Sequence, residues 1–111
     1  MEKIRTHKEL KVYNLSFEAG MEVFEFIKKF PPEERFSLTD QVRRSSRAVS
    51  GIIAETWRKR RYPKSFVAKL NDAEAEVAET QVWLDYALTC NYINLAEYKP
   101  LYENTNISLP C

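Results

Sequence analysis

From Leu10 onward, apolar residues recur every three or four positions: Leu10, Tyr13, Phe17, Met21, Phe24 and Ile27, with Glu9, Lys11, Glu18, Glu22, Glu25 and Lys28 between them. That period predicts an amphipathic helix over about residues 8–29 with those six residues as its inner stripe. Val12, Leu15, Ala19, Val23 and Phe26 widen the apolar face, so this helix should touch more than one neighbour. Phe30-Pro31-Pro32 ends it, because proline disfavours helical geometry in the residue before it and has no N–H to donate.

A second helix is expected over about residues 38–60. Ser37 or Thr39 is placed to cap it with a hydroxyl, and Asp40 puts negative charge at the positive end of the helix dipole. Its inner stripe is Leu38, Val42, Ser45, Val49, Ile52, Ile53 and Thr56, and small Ser46, Ser50, Gly51 and Ala54 beside it favour close packing. Pro63 suits the first position of a third helix, over about residues 63–91, whose stripe is Phe66, Leu70, Ala73, Val77, Leu84 and Leu88. A fourth begins after Asn94, which forms a capping box with Glu97, but Pro100 should cut it short near residue 103. The residues after Tyr102 are then expected to be irregular, with Leu95, Tyr98, Leu101 and Tyr102 lying as a partial lid over a groove lined by Phe24, Ile27, Leu84 and Leu88.

Three long helices with short connections must alternate in direction, so the expected fold is all-α: one domain over residues 1–111, an antiparallel up-down four-helix bundle with a short or frayed fourth helix. With only 2 Gly and 5 Pro in 111 residues, the turns of an all-β fold have little to be built from. No apolar run approaches the length of a membrane span, and the charged start is not followed by an apolar signal segment, so a cytoplasmic location is expected. Neither a metal site nor a disulfide framework is expected from Cys90, read as a buried thiol, Cys111, read as an exposed one, and a lone exposed His7. No cofactor motif is present.

Charge changes the picture once the chain is divided. The balance is +1 for residues 1–30, +6 for 31–70 and −6 for 71–111, which predicts an electrically polar subunit. The cations concentrate in the second helix and the turn after it: Arg43, Arg44, Arg47, Arg58, Lys59, Arg60, Arg61 and Lys64. In one account they contact phosphates, with Trp57 or Tyr62 near enough to stack on an unpaired base. In the other, Arg43 and Arg44 pair with acids of the third helix or of a neighbouring subunit.

The cluster divides between these accounts. Arg43 and Arg44, within the helix and near the packed stripe, are assigned to structural or interface charge. Arg47, Arg58, Lys59, Arg60, Arg61 and Lys64 are the candidates for nucleic acid, although one or two cations at a helix end are already favoured by the dipole. Glu55, beside Ala54 on the inner side by pattern, has no His, Cys or second carboxylate at a matching offset. It is therefore expected in an ion pair with Arg58 or Arg47 rather than in catalysis.

The run from Phe30-Pro31 through Leu38-Thr39-Asp40-Gln41-Val42-Arg43-Arg44 to Ala54-Glu55, followed by "FVAKLNDAEAEVAETQVWLDYALTCNYI", resembles the proteins encoded by intervening sequences in bacterial 23S rRNA genes, the S23 ribosomal protein family. The likeness covers about residues 8–102. It implies an antiparallel four-helix bundle assembled as a ring-like homopentamer, without enzymatic activity. It also implies kinship with the accessory proteins of diversity-generating retroelements, basic pentamers that bind nucleic acid and a reverse transcriptase. Ile52 and Thr56 depart from the asparagine and glycine usual in the family, and "KPLYENTNISLPC" stands where a full fourth helix is usual. The expectation is a non-enzymatic, oligomeric RNA-binding protein; the alternative is an interaction module whose charges serve self-assembly.

Overall fold

A computed structural model describes residues 3–107, all helices and turns. After a 3-10 turn at His7–Glu9 come α1 (Lys11–Ile27), a second 3-10 turn (Pro32–Glu34), α2 (Leu38–Arg58), α3 (Pro63–Thr89) and α4 (Leu95–Thr105). Each helix packs against the next in chain order and α4 closes back on α1, which makes an antiparallel four-helix bundle of 46 × 26 × 19 Å.

α1 begins three residues later and ends two earlier than the periodicity suggested, whereas α2 and α3 begin where expected and each end two residues earlier. Leu10 is extended and separates α1 from the 3-10 turn. Pro63 opens α3 as expected, but the cap of α2 differs. No Ser37 or Thr39 hydroxyl caps it; the Glu34 carboxylate accepts from the Leu38 N–H at 3.3 Å and from the Ser37 hydroxyl at 2.6 Å. The same carboxylate accepts from the Tyr92 hydroxyl at 2.8 Å, tying the α3–α4 connection to the start of α2. These bonds, that of Ser37 foremost, hold the Glu34 pKa below its usual value, and the carboxylate in turn pushes the Tyr92 hydroxyl up to about 12.

α3 stops because Asn91 adopts a left-handed conformation (φ 64°). The Asn91 and Tyr92 N–H groups then bond back to the Leu88 and Ala87 carbonyls, a Schellman ending that reverses the chain. α4 is short, as expected, but it is ordered through Pro100 and ends at Thr105 rather than near residue 103. The Asn94–Glu97 capping box is formed, and Lys29, just past the end of α1, adds an ion pair to Glu97 at 2.9 Å. Leu101 and Thr105 are buried. Their packing offsets the bond that proline removes, a case of tertiary contact overriding local propensity.

The core takes only part of the α1 stripe that the periodicity suggested: Ile27 is buried, and Leu10 and Tyr13 pack against a core cluster. Ser16, Ala19, Val23 and Ile27 are buried, whereas Phe17 and Met21, one turn apart, face outward and Phe17 is 52% exposed. Two apolar clusters fill the bundle. One joins Val23, Ile27, Phe30, Leu38, Val42, Leu84, Ala87, Ile93 and Leu101; the other joins Val49, Ile53, Ala73 and Val77. Buried Ser16, Ser45, Ser46, Thr80 and Thr105 lie in all four helices, and each hydroxyl bonds to a carbonyl of its own helix. Thr80 Oγ1 also lies 2.8 Å from Ser45 Oγ, linking α2 to α3.

The groove expected beside Phe24, Ile27, Leu84 and Leu88 is covered, since Ile27 and Leu84 belong to the core together with Leu101. Tyr98 packs on that cluster, but Leu95 is 53% exposed and is not part of a lid. The gap between α1 and α3 opens at the other end. The 11 residues of α4 reach about 16 Å, whereas the 27 of α3 reach about 40 Å. There an apolar pocket of about 320 Å³ lies between Leu10 and Val12, Ile53 to Arg60 of α2 and its turn, and Phe66 and Leu70 of α3.

Candidate nucleic-acid interface

The end of α2 forms the surface of interest. Its last turn closes with the Lys59 N–H on the Glu55 and Thr56 carbonyls, and the Tyr62 N–H returns to the Lys59 carbonyl at 2.9 Å. Four residues, Lys59 to Tyr62, thus carry the chain around into α3. Arg58, Lys59, Arg60 and Arg61 are exposed there, beside helix carbonyls whose dipole favours cations, and Lys64 is exposed in the first turn of α3. Arg60 is also structural: Nη1 donates to the Trp57 carbonyl at 2.9 Å, and the guanidinium lies 4.0 Å from the centre of the Trp57 ring. Tyr62, 64% exposed, projects from the same turn.

Antiparallel packing adds residues that the linear reading missed. The segment before α1 lies against the end of α2, so Arg5, Thr6 and His7 face Ala54, Glu55, Trp57 and Arg58 across a cleft of about 420 Å³. The up-down topology was the available signal, because it places the start of one helix beside the end of the next. His7 is partly buried rather than free in solvent and meets Tyr13 edge-on, 4.7 Å between ring centres.

Other assignments change. Arg47 is exposed, with its guanidinium 5.7 Å from the Phe24 ring centre, and it lies about 16 Å along α2 from Arg58. It is not part of the cluster. Glu55 is exposed rather than inward, and its partner is Lys69 at 2.8 Å, not Arg58 or Arg47. That pairing raises the Lys69 pKa and occupies the acid nearest the cluster. Arg44 bridges α2 to α3, reaching Glu79 at 2.6 Å and Glu76 at 3.4 Å, and its hydrogen bond holds the Glu79 carboxyl below its usual range. Arg43 pairs instead with Asp40 of its own helix, at 3.2 Å.

Cys90 is exposed at the end of α3 rather than buried, and Cys111 lies outside the described residues. Among the described residues no group of three His, Cys, Asp or Glu side chains is arranged to hold a metal. Gly51 has open space beside it and plays no part in close packing; Gly20 is where α1 and α2 approach, a Cβ there lying 3.6 Å from the Ser46 carbonyl oxygen.

The surface is therefore a cationic helix end with an exposed tyrosine, a neighbouring cleft bearing two arginines, and an apolar pocket behind it. Such an arrangement can hold phosphates electrostatically.

Comparison with known proteins gives the same fold. A crystal structure of a protein with unknown function from the S23 ribosomal protein family of Bacteroides thetaiotaomicron VPI-5482 superposes with a TM-score of 0.77 at 25% identity, covering 85% of this chain and 87% of that one. No curated protein matches the chain. The model of the 23S rRNA-intervening sequence proteins matches residues 8–108, six residues beyond the likeness read from the sequence and through the whole of α4. The chain belongs to the 23S rRNA-intervening sequence protein family.

Proposed function

We propose that this protein is a non-enzymatic, cytoplasmic, homo-oligomeric RNA-binding protein that holds phosphates through Arg58, Lys59, Arg61 and Lys64. The observation that carries the reading is that these four exposed cations lie at the α2–α3 connection, with Arg5 brought beside Arg58, while the adjacent carboxylate of Glu55 is engaged by Lys69. Cations paired for stability, such as Arg44, lie elsewhere. Structured ribosomal RNA is the partner class the family suggests. No helix among the described residues is long and apolar enough to cross a membrane.

Self-association, with five copies as the leading number, is supported by exposed Phe17, Met21, Val82 and Tyr86, apolar surface of the kind that seeks a partner. Light scattering should give a multiple of the chain mass; a clean monomer at micromolar concentration would count against it. The alternative, an interaction module whose charges serve assembly, draws on the exposed acids Asp72 and Glu74 of α3, which are available to the basic end of another copy.

Salt separates the two readings. Four phosphate contacts to single-stranded RNA release counterions and should give a slope of log affinity against log salt of about −3. Replacing Arg58, Arg61 and Lys64 together by Glu should abolish binding in fluorescence anisotropy with helical content unchanged. Arg60 is left intact because it also caps α2 and covers Trp57. Undiminished affinity of the triple variant at moderate salt would refute the phosphate reading.

A further inference from the structure

Resting on that RNA-binding reading, we infer that the apolar pocket behind the cationic helix end receives an unpaired nucleobase, so that the protein selects single-stranded or looped RNA over duplex. The pocket opens where α4 no longer bridges α1 and α3, and aromatic Trp57 and Phe66 line it with Leu10, Ile53 and Leu70. Arg60 belongs both to its lining and to the cluster at its mouth. A cavity whose rim attracts a phosphate backbone and whose walls are aromatic suits a chain carrying both charges and flat apolar faces. Single-stranded nucleic acid has that chemistry. A duplex does not, because its base faces are already stacked inside the helix.

The walls also dictate what is read. The Thr56 hydroxyl is spent on the Ile52 carbonyl at 2.9 Å, and the Trp57 carbonyl accepts from Arg60. The walls are predominantly apolar, and a base edge buried against them without a partner would be costly. A base therefore enters with its face on the aromatic walls and its polar edge turned to the mouth. The site distinguishes unpaired from paired bases rather than one base from another. Exposed Tyr62 on the adjoining turn is placed to stack on a second base.

The test uses the full chain with Trp83→Phe, which leaves Trp57 as the sole tryptophan, and verifies folding by circular dichroism. Single strands of oligouridylate and oligoadenylate of about a dozen nucleotides, within the usual range for one binding surface, are compared with a blunt RNA duplex of equal length. The expected result is tighter binding of both single strands than of the duplex, with a change in Trp57 emission for the single strands alone. Phe66→Ala should weaken single-strand binding at least about fivefold, the lower end for loss of one base stack, and leave duplex affinity unchanged. Leu10→Phe, which fills the pocket, should act in the same direction if Phe66→Ala proves poorly folded. Equal affinity for strand and duplex, or equal weakening of both by Phe66→Ala, overturns the inference and leaves the phosphate reading standing. Absence of any RNA binding at low salt overturns both. Trp57 emission that shifts with protein concentration alone shows that a second copy fills the pocket, and the inference falls.

Discussion

Leu101→Ala tests whether the short fourth helix is a working part of the bundle. Leu101 is 1% exposed and belongs to one cluster with Val23, Ile27, Phe30, Leu84 and Ile93, so the substitution removes side-chain volume from a site walled by α1, α3 and the α1–α2 and α3–α4 connections. A Leu→Ala change in such a setting costs about 2–5 kcal/mol, the higher values applying where the surroundings cannot collapse. Against a total stability of about 5–15 kcal/mol for a domain of this size, that is a large fraction. At about 4 °C per kcal/mol, the melting temperature should fall by about 8–20 °C. Leu95→Ala on the same helix is the control: Leu95 is 53% exposed, and its loss should change stability by less than about 0.5 kcal/mol. Calorimetry or far-ultraviolet circular dichroism at one fixed protein concentration is the assay, because self-association would make the midpoint depend on concentration. A Leu101→Ala midpoint within about 2 °C of the parent would show that α4 does not close the core.

Pro100→Ala should raise stability by about 1–3 kcal/mol, because it restores a donor to the Ala96 carbonyl in a helix already held by packing; a lower melting temperature would contradict this. Ending the chain at Asn94 should cause aggregation, seen by light scattering, since Val23, Ile27 and Leu84 lose their cover; a soluble product with an unchanged midpoint would refute it. Acid should destabilise the fold through Glu34, Glu79 and Glu97, whose folded pKa values all lie below the ordinary 4.5. Their contribution is complete above that value and is lost as pH falls through the folded values, so melting temperatures flat from pH 6 to pH 3 would remove these carboxylates from the account. Arg44→Ala should cost only about 0.5–1 kcal/mol, because its side chain is half exposed to solvent; chemical denaturation would measure it.

Local chemistry along the chain determined the four helices and their approximate ends. Proline at residues 31, 32 and 63 and the Asn94–Glu97 box act within a few residues, so they are visible without knowledge of the fold. The inner stripe of α2 was legible for a related reason: its outward positions are charged, leaving only one face that can be buried. α1 offered no such contrast. With apolar residues on most of its circumference, only the positions of α2 and α4 decided that Val23 and Ile27 turn inward and Phe17 and Met21 outward. Tertiary structure likewise overrode Pro100, because the burial of Leu101 lies outside any propensity. The cationic run at residues 58–64 was visible in the sequence, but its working surroundings were not. Arg5 joins it, Arg47 is separated from it, Glu55 is drawn to Lys69, and the apolar pocket is walled by residues of α2, α3 and the segment around Leu10. Charge pairing and cavities depend on distances between segments far apart in the chain, and those distances are set only when the helices pack.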